Sequence, residues 1–581
     1  MKSLHKLFPS IFLICCMLTS CYKLDRYPQD RLSSGTFWQS EDQLKQAIAA
    51  CYQSMKWQEV YWRFFGMDCI SDIGIGYDDA GYIDISRGIW TPRTGYVTNR
   101  WQQTYEGVAR VNNLIRNVTE MDVDAESKQL VIAEARFLRA LYYNFLLVHF
   151  GGVPLYDETT DYNQDYLTLQ KTRATADETR AFIIADLQEA IQTLPVAWPT
   201  SDYGRATKGA AHALLGKVYL YNEEYKLAAT EFEEIVMDPN GLGYGYSLYP
   251  NYADLFKDAG DESSEMIFAV QNYGVDGFAL GMPYAHFMGS NAAIGTSWNN
   301  VMPSPELVDS YELKDGRPFD WDDFIPGYND SREIREKTLR ATLTPDFKSV
   351  ATYPEFHDEL LAMYDQRDPR MQETIILPYT HYLGFIANEE KMTEFVYATG
   401  VAIVNGFTVV NRYNNASNYM YLFRKFVPEG NLGGALPPSF RANVPVNFPI
   451  IRFADVLLML AECYNEEGRT DEAVALINRV RQRPSTNMPA INSGPQWLEA
   501  HTKEAVFERI KHERAVEFAA EGLRYYDLRR WGLIQDVMNK DVTDAMGNLI
   551  YTTKFDNKDL LWPIPAVEIE MNPNLTQNPG W

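Results

Sequence analysis

The chain has 581 residues, 53 of them basic and 78 acidic, which gives a formal net charge of −25 at pH 7. A surface this acidic repels nucleic-acid phosphates, which bind proteins through clustered Lys and Arg, so we expect no nucleic-acid partner. Aromatic residues at 13% and hydrophobic residues at 46% exclude a disordered acidic tail and are enough for a large core.

The N-terminus has the pattern of an export signal over residues 1–20. Lys2 and Lys6 precede an apolar run at residues 11–18 that is too short to span a bilayer. The run ends in Leu18-Thr-Ser-Cys21, which resembles a bacterial lipobox. We therefore predict cleavage before Cys21 and lipidation of its thiol, with ordinary secretion as the alternative. Several acyl chains on one residue would anchor the mature protein to a membrane.

Only three cysteines, Cys51, Cys69 and Cys463, follow Cys21, which is too few for a disulfide framework. Cys51 lies on the apolar stripe of a predicted helix, and Ser40 and Gln43 at its start have the spacing of a capping box. We interpret Cys51 and Cys463 as small buried hydrophobic residues. A disulfide between Cys51 and Cys69 stays open as an alternative.

Two segments have the spacing of a tetratricopeptide hairpin. In the first, Leu215–Tyr219 is followed by Ala228–Phe232. In the second, Leu460–Tyr464 is followed by Ala473 and Ile477. Small residues at the close-approach positions allow two helices to pack as a hairpin. The two units lie about 245 residues apart, so a long insertion must separate them.

Further helices are predicted by apolar periodicity. One runs from Trp101 to Ile115 and another from Leu130 to Phe150. A last helix from Val506 is predicted to end at Gly522, a residue type common just after a helix C-terminus. The predicted fold class is mainly α, with tetratricopeptide-like helical hairpins forming a scaffold.

The insertion at residues 241–448 is rich in Gly, Pro, Asn and aromatic residues. Short β-like runs at Met266–Val270 and Val401–Val404 predict a few strands among irregular loops. We divide the mature chain into an N-terminal part, 21–240, and a C-terminal part, 241–581, that together form one body.

Catalytic motifs are absent from the sequence. It has no H-E-x-x-H, no histidine pair at i, i+4 and no G-x-S-x-G. Paired acids at Asp78-Asp79 and Asp322-Asp323 are interpreted as solvated surface groups. We therefore expect neither an enzyme nor a metal or other cofactor.

Five segments, in order along the chain, resemble the signatures of the SusD/RagB family. They are Glu134–Leu155, Arg205–Leu215, Arg367–Arg370, Glu513–Gly532 and Pro563–Trp581. The resemblance implies tetratricopeptide-like helical pairs and a surface-exposed outer-membrane lipoprotein that binds glycan and caps a SusC-like TonB-dependent transporter. The mixed charges of the fourth segment are interpreted as ion pairs that tie the last helix to the insertion. These charges are Glu513, Arg514, Glu517, Arg524, Asp527, Arg529 and Arg530.

Candidate glycan contacts follow from the chemistry of a sugar, which has apolar faces and a rim of hydroxyls. An exposed Trp or Tyr beside Asp, Asn or Arg suits both parts. Two loops outside the helical repeats, residues 72–100 and 278–300, combine these types, and residues 411–414 form a third candidate segment. The predicted contacts are Asp72, Trp90, Asn99, Tyr284, Trp298, Asn299 and Tyr413. Trp90 and Trp298 are the predicted stacking platforms.

The sequence therefore favours a lipid-anchored protein of the outer membrane that faces the cell exterior. We expect it to bind oligosaccharide or polysaccharide and to deliver it to a SusC-like TonB-dependent transporter for nutrient uptake. One alternative is a surface glycoside hydrolase, which needs two placed carboxylates and would release reducing sugar. Another is a helical-repeat scaffold that binds peptides. The missing catalytic motifs and the family resemblance favour the first.

Overall fold

The structure is a computed structural model that describes residues 37–162, 169–273, 281–290, 293, 297–399, 402–404, 407–409, 419–434 and 443–581. Cys21 and Tyr413 lie outside these residues, as does the predicted signal peptide. Among the helices of this part of the chain, none has both the length and the apolar character needed to cross a bilayer.

The fold is mainly α, as predicted. The α-helices are α1 (Glu41–Gln53), α2 (Ile83–Ser86), α3 (Gly95–Glu120), α4 (Ala125–Phe150), α5 (Ala176–Thr193), α6 (Lys208–Leu220), α7 (Tyr225–Val236), α8 (Tyr252–Leu255), α9 (Tyr284–Phe287), α10 (Pro305–Ser310), α11 (Arg332–Leu339), α12 (His357–Tyr364), α13 (Arg370–Thr374), α14 (Phe453–Glu466), α15 (Thr470–Arg481), α16 (Lys503–Phe518), α17 (Arg524–Arg530), α18 (Ile534–Met538) and α19 (Ala566–Met571). Single turns of 3-10 helix occur at Ser54–Lys56, Asp79–Gly81, Thr200–Asp202, Asp258–Gly260, Trp321–Asp323, Leu432–Gly434, Gln496–Leu498 and Asn557–Leu560, with a longer one at Phe64–Ile70 and a π-helical turn at Gln58–Trp62.

The strands are short and form small sheets. They are β1 (Gly74–Gly76), β2 (Met266–Val270), β3 (Val301–Pro303), β4 (Thr342–Leu343), β5 (Val350–Thr352), β6 (Ile375–Ile376), β7 (His381–Ile386), β8 (Glu389–Val396), β9 (Ala402–Val404), β10 (Phe407–Val409), β11 (Leu422–Phe423), β12 (Phe448–Arg452), β13 (Asp541–Thr543) and β14 (Leu549–Thr552). One sheet has four strands in the order β7-β8-β10-β9, with β8 and β10 parallel. The antiparallel pairs are β1–β3, β2–β12, β4–β5, β6–β11 and β13–β14.

The two predicted hairpins are confirmed as α6–α7 and α14–α15. Gly216 on α6 is a close-approach position, because a Cβ there would lie 2.5 Å from the Phe232 ring of α7. The hairpins, although far apart in sequence, pack on each other through α7 and α14. Tyr464 donates to Glu233 at 2.7 Å across this contact. Helices α3 to α7 also pack in succession, so the helical layer continues through both hairpins.

The insertion returns to the helices through a strand pair. Met266–Val270 is β2, as predicted, and pairs with β12 immediately before α14. The predicted run at 401–404 contains β9. Since β2 and β12 lie at the two ends of the insertion, their ladder closes it as a loop against the helical layer.

Twelve charged side chains form one buried charge network that joins the insertion to α15 and α16. Its cations are Arg370, Lys425, Arg452, Arg481, Arg483 and Arg509, and its anions are Glu265, Glu312, Asp368, Glu513, Glu517 and Glu521. Arg370 of the insertion, for example, contacts Glu513 at 2.5 Å and Glu517 at 2.9 Å on α16. The predicted tie to the insertion is therefore confirmed for Glu513 and Glu517. The other charges of that segment pair outside the insertion, for example Arg524 with Asp72 and Arg530 with Glu462.

Two family signatures also pair with each other. Arg205 forms an ion pair with Glu134 on α4, and the Tyr52 hydroxyl donates to the same carboxylate at 2.8 Å. In the fourth signature, Arg514 bonds both Asp455 and Asp527. These charges hold helices together, as the sequence indicates.

The predicted end of the helix that contains Val506 is wrong, and this helix is followed by three further short helices. Helix α16 ends at Phe518, four residues before Gly522. Gly522 nevertheless needs to be glycine, because its φ is +75° and a Cβ would lie 2.3 Å from the Phe64 carbonyl oxygen. Its N–H donates to the Asp68 carboxylate at 3.1 Å.

The three described cysteines are buried free thiols, so the disulfide alternative is wrong. Burial raises the pKa of the Cys51 thiol to about 12, which keeps it protonated. Ser40 caps α1 as predicted, since its hydroxyl accepts the Gln43 N–H at 3.3 Å.

Candidate functional site

The β1–β3 pair brings the two predicted loops together. β1 belongs to the loop at 72–100, and β3 directly follows the loop at 278–300. Beyond the ladder, the Tyr77 N–H donates to the Asn300 carbonyl at 2.9 Å. The Asn300 amide also donates to the Asp78 carboxylate. Side chains from both loops therefore lie at one place on the surface.

The backbone turn at residues 76–81 is stabilised by a helix cap and by two glycines. Asp78 caps the short 3-10 turn that follows it by accepting the Ala80 N–H at 2.9 Å. Gly76 and Gly81 then approach so closely that a Cβ on Gly76 would lie 2.2 Å from the Gly81 carbonyl oxygen. Two glycines let the backbone double back here and place Asp79 in solvent.

Trp298 is the exposed aromatic side chain at this place, with 51% of its surface accessible. Its ring centroid lies 4.3 Å from the His286 ring, and the backbone N–H of Trp298 donates to the His286 carbonyl at 2.7 Å. His286 contacts Phe287 at 5.0 Å, and Phe287 contacts Trp62 edge-on at 6.1 Å. We name these four residues the aromatic row.

The aromatic row can act as a platform for an apolar ligand face. The His286 ring contacts the Trp298 ring at an inclination of 46°, which restricts the orientation of the indole before a ligand arrives. Asp78 and Asp79 of the partner loop supply carboxylate acceptors, and the buried Asn300 amide holds Asp78 in place. Stacking surface beside hydrogen-bonding groups is the arrangement that a sugar needs.

Trp90 is not an exposed platform, and that prediction is wrong. Only 3% of its surface is accessible, and its indole N–H donates to Asp559 at 2.8 Å. Its ring packs edge-on against Trp562 at 5.4 Å and Trp581 at 4.7 Å. Trp90 therefore belongs to the core and holds the C-terminal segment in place.

Tyr284 and Asp72 are also engaged inside the protein. Tyr284 is fully buried and stacks on Phe426 at 4.8 Å, so its prediction as a ligand contact is wrong. Asp72 accepts two hydrogen bonds from Arg524, at 2.9 and 2.8 Å. Burial acts to raise the pKa of the Asp72 carboxyl, but the hydrogen bonds and charge of Arg524 outweigh it and lower the pKa.

The two predicted asparagines lie in different surroundings. Asn299 is buried with φ at +54°, and its amide donates to the Gly289 carbonyl, so it shapes the loop that presents Trp298. Asn99 is exposed on α3, on the same face as Gln102, whose amide bonds Glu568 of α19. Asn99 therefore lies one helical turn before a residue that contacts α19, while Asn299 supports the aromatic row from within.

Sequence reasoning did not select Trp62. It lies in the π-helical turn Gln58–Trp62, 225 residues from Phe287 along the chain, and no polar loop composition marks it. Only the fold brings it to the aromatic row.

Comparison with known proteins identifies the family. A sequence model of the SusD family matches residues 264–581, which is more than half of the chain. This chain belongs to the SusD family. A second model, described as starch-binding associating with outer membrane, matches residues 24–220.

Individual relatives cover nearly the whole chain. A SusD-like protein of Formosa agariphila is 25% identical over 98% of both chains. The starch-binding protein SusD of Bacteroides thetaiotaomicron is 24% identical over 81% of this chain and 76% of its own. Among solved structures, a SusD-like carbohydrate binding protein of Bacteroides fragilis is 25% identical, with a TM-score of 0.73 over 93% of this chain and 100% of its own. Surface glycan-binding protein A of Bacteroides thetaiotaomicron in complex with laminarihexaose is 21% identical, with a TM-score of 0.63 over 93% and 99%.

Proposed function

We propose that this SusD family protein binds oligosaccharide or polysaccharide at the aromatic row and does not cleave it. The observation that carries the proposal is the half-exposed Trp298 ring, held on His286 at the junction of two loops that also supply Asp78, Asp79 and Asn300. An aromatic ring desolvates one face of a pyranose and sets its orientation, while the two carboxylates accept hydrogen bonds from its hydroxyls.

The comparisons support this choice of ligand. Two of the relatives carry names that state starch binding or carbohydrate binding, and they cover most of the chain. We propose the class of ligand, a glycan, from membership of the family. We propose the binding residues from the geometry at Trp298.

We further propose that the protein is anchored to the outer membrane through a lipid on Cys21, faces the cell exterior and hands its glycan to a SusC-like TonB-dependent transporter. The lipobox at residues 18–21 supports the anchor. The description of the model that matches residues 24–220 supports association with the outer membrane. The transporter as partner follows from the family resemblance.

The test is calorimetric titration of the purified mature chain with a panel of oligosaccharides that includes maltohexaose and laminarihexaose. Each mixture is then analysed for shortened products. We expect saturable binding of at least one glycan, with its length distribution unchanged after prolonged incubation. Release of reducing ends by protein free of contaminating hydrolases would instead favour the glycoside hydrolase. Absence of binding across the panel would contradict glycan recognition.

A further inference from the structure

A cavity opens between three segments that do not belong to the aromatic row. It has a volume of about 310 Å³ and is lined by residues of the α5–α6 connection, by Tyr244–Tyr246 and by the chain at 262–271 that enters β2. It shares no lining residue with the aromatic row. Pockets that hold small ligands begin at about 300 Å³, so the cavity is large enough for a small molecule.

Aromatic rings form much of its wall. Tyr244 and Tyr246 alternate with Gly245 and present nearly parallel rings, 6.3 Å apart and inclined by 16°. Trp198 belongs to the same lining. The Arg205 guanidinium sits 3.7 Å from the centre of the Trp198 ring, and the indole N–H donates to the Ala206 carbonyl at 2.8 Å. Trp198 is therefore held in a fixed orientation.

Two hydroxyls in the lining have no hydrogen-bond partner within the described residues. They belong to Tyr244 and Ser263, and both oxygens are buried. A buried hydroxyl without a partner costs free energy, so such groups point to a ligand or water that satisfies them. Burial, followed by the nearby charges of Glu234 and Asp238, raises the pKa of Tyr244 to about 12. The phenol therefore stays protonated and can donate at neutral pH.

The charge of the cavity favours a neutral ligand. Its guanidinium, Arg205, is already neutralised by Glu134 and by Asp202, the latter at 2.8 Å. Glu262 at the rim is exposed and would repel an anion. The remaining polar lining consists of hydroxyls and an amide, among them the Thr207–Tyr246 pair at 2.9 Å.

We propose that this cavity is a second saccharide subsite, which takes a single neutral pyranose residue. Aromatic walls suit the apolar faces of the ring, and unpartnered hydroxyls suit its rim. The class of ligand rests on the proposed function, but the site itself is independent of Trp298.

The experiment uses saturation-transfer difference NMR on a Trp298→Ala background, which removes the main platform of the first site. The probes are glucose, galactose, mannose, xylose and N-acetylglucosamine, each titrated separately. Ser263→Phe fills the cavity, and Tyr244→Phe deletes one hydroxyl that makes no bond in the described chain. Tyr353→Phe is the matched control, because Tyr353 is an exposed tyrosine elsewhere whose hydroxyl bonds Glu394.

We expect at least one sugar to give a signal in the Trp298→Ala protein, and Ser263→Phe to abolish it. Tyr244→Phe should lower the affinity for that sugar by about three- to tenfold, the effect of one hydrogen bond, whereas Tyr353→Phe should leave the affinity unchanged. No signal from any of the five sugars, or a signal that survives in folded Ser263→Phe protein, would overturn the proposal. If Ser263→Phe does not fold, unchanged affinity in Tyr244→Phe overturns it. Failure of the proposed function shows separately, as loss of oligosaccharide binding by the wild type.

Discussion

Glu517 is the residue at which the buried charge network can be tested most sharply. Its carboxylate is fully buried and contacts three arginines: Arg483 at 2.7 Å, Arg452 at 2.8 Å and Arg370 at 2.9 Å. Burial alone would raise the pKa of Glu517, but the three guanidinium groups hold it well below its usual range. The carboxylate is therefore ionised at neutral pH, and it neutralises part of the charge of each of the three buried arginines.

Glu517→Ala should lower the free energy of unfolding by about 3 to 5 kcal/mol, the usual cost of removing one partner from a buried ion pair. The loss should not reach three times that amount, because every arginine keeps another anion. Arg370 retains Glu513, and both Arg452 and Arg483 retain Glu265.

The assay is urea unfolding followed by circular dichroism. Glu333→Ala is the matched control, because Glu333 is an exposed glutamate paired with Lys337 on α11, and such pairs contribute less than about 1 kcal/mol. We expect a clear fall in the urea midpoint for Glu517→Ala and almost none for the control. Equal midpoints for both variants would refute the view that the network holds the insertion on the helices.

Three further predictions concern the anchor, a glycine and a buried acid. Cys21→Ala should leave the membrane fraction and incorporate no labelled palmitate, and a variant that stays bound and labelled would contradict the lipobox. Gly468 and Gly522 both have positive φ, so replacing Gly468 with Ala should lower the free energy of unfolding in urea by ~1 to 2 kcal/mol. Gly522→Ala should lower it further, because only the Cβ at 522 would clash with Phe64. Equal losses in the two variants would contradict the clash. Burial raises the pKa of Asp261 to about 8, so the folded state keeps a proton that the unfolded chain has released, and stability falls as pH rises from about 4 to about 8. Asp261→Asn should therefore gain stability over the wild type between about pH 5 and about pH 8 in thermal melts, and parallel pH profiles would contradict the shift.

Local patterns predicted the scaffold because helical hairpins are stabilised by neighbours in sequence. Gly216 and Phe232 are sixteen positions apart, and their sizes alone indicate that two helices approach there. The contact between α7 and α14 has no such signal, since it depends on how the insertion folds back through β2 and β12. The ion pairs of α16 could be predicted because a helix with so many charged residues requires partners of opposite charge.

The candidate site was harder to predict because exposure of an aromatic residue is a property of the whole fold. Trp90 and Trp298 both lie in polar loops, and composition does not separate them. Trp90 is buried by Trp562 and Trp581, more than 470 residues away along the chain. Trp298 instead rests on His286, twelve residues away, and keeps half of its surface in solvent.

The measurement that tests the central claim most directly is glycan titration of Trp298→Ala beside Trp497→Ala. Trp497 is 41% exposed, so both variants remove an exposed indole, but Trp497 lies beside Arg317 and outside the aromatic row. By analogy with aromatic hot spots and stacked bases, Trp298→Ala should lose ~1 to 3 kcal/mol of binding free energy, a tenfold or greater fall in affinity at the upper end, with little change in melting temperature. Trp497→Ala should bind like the wild type. Equal affinity in all three proteins would contradict glycan binding at the aromatic row.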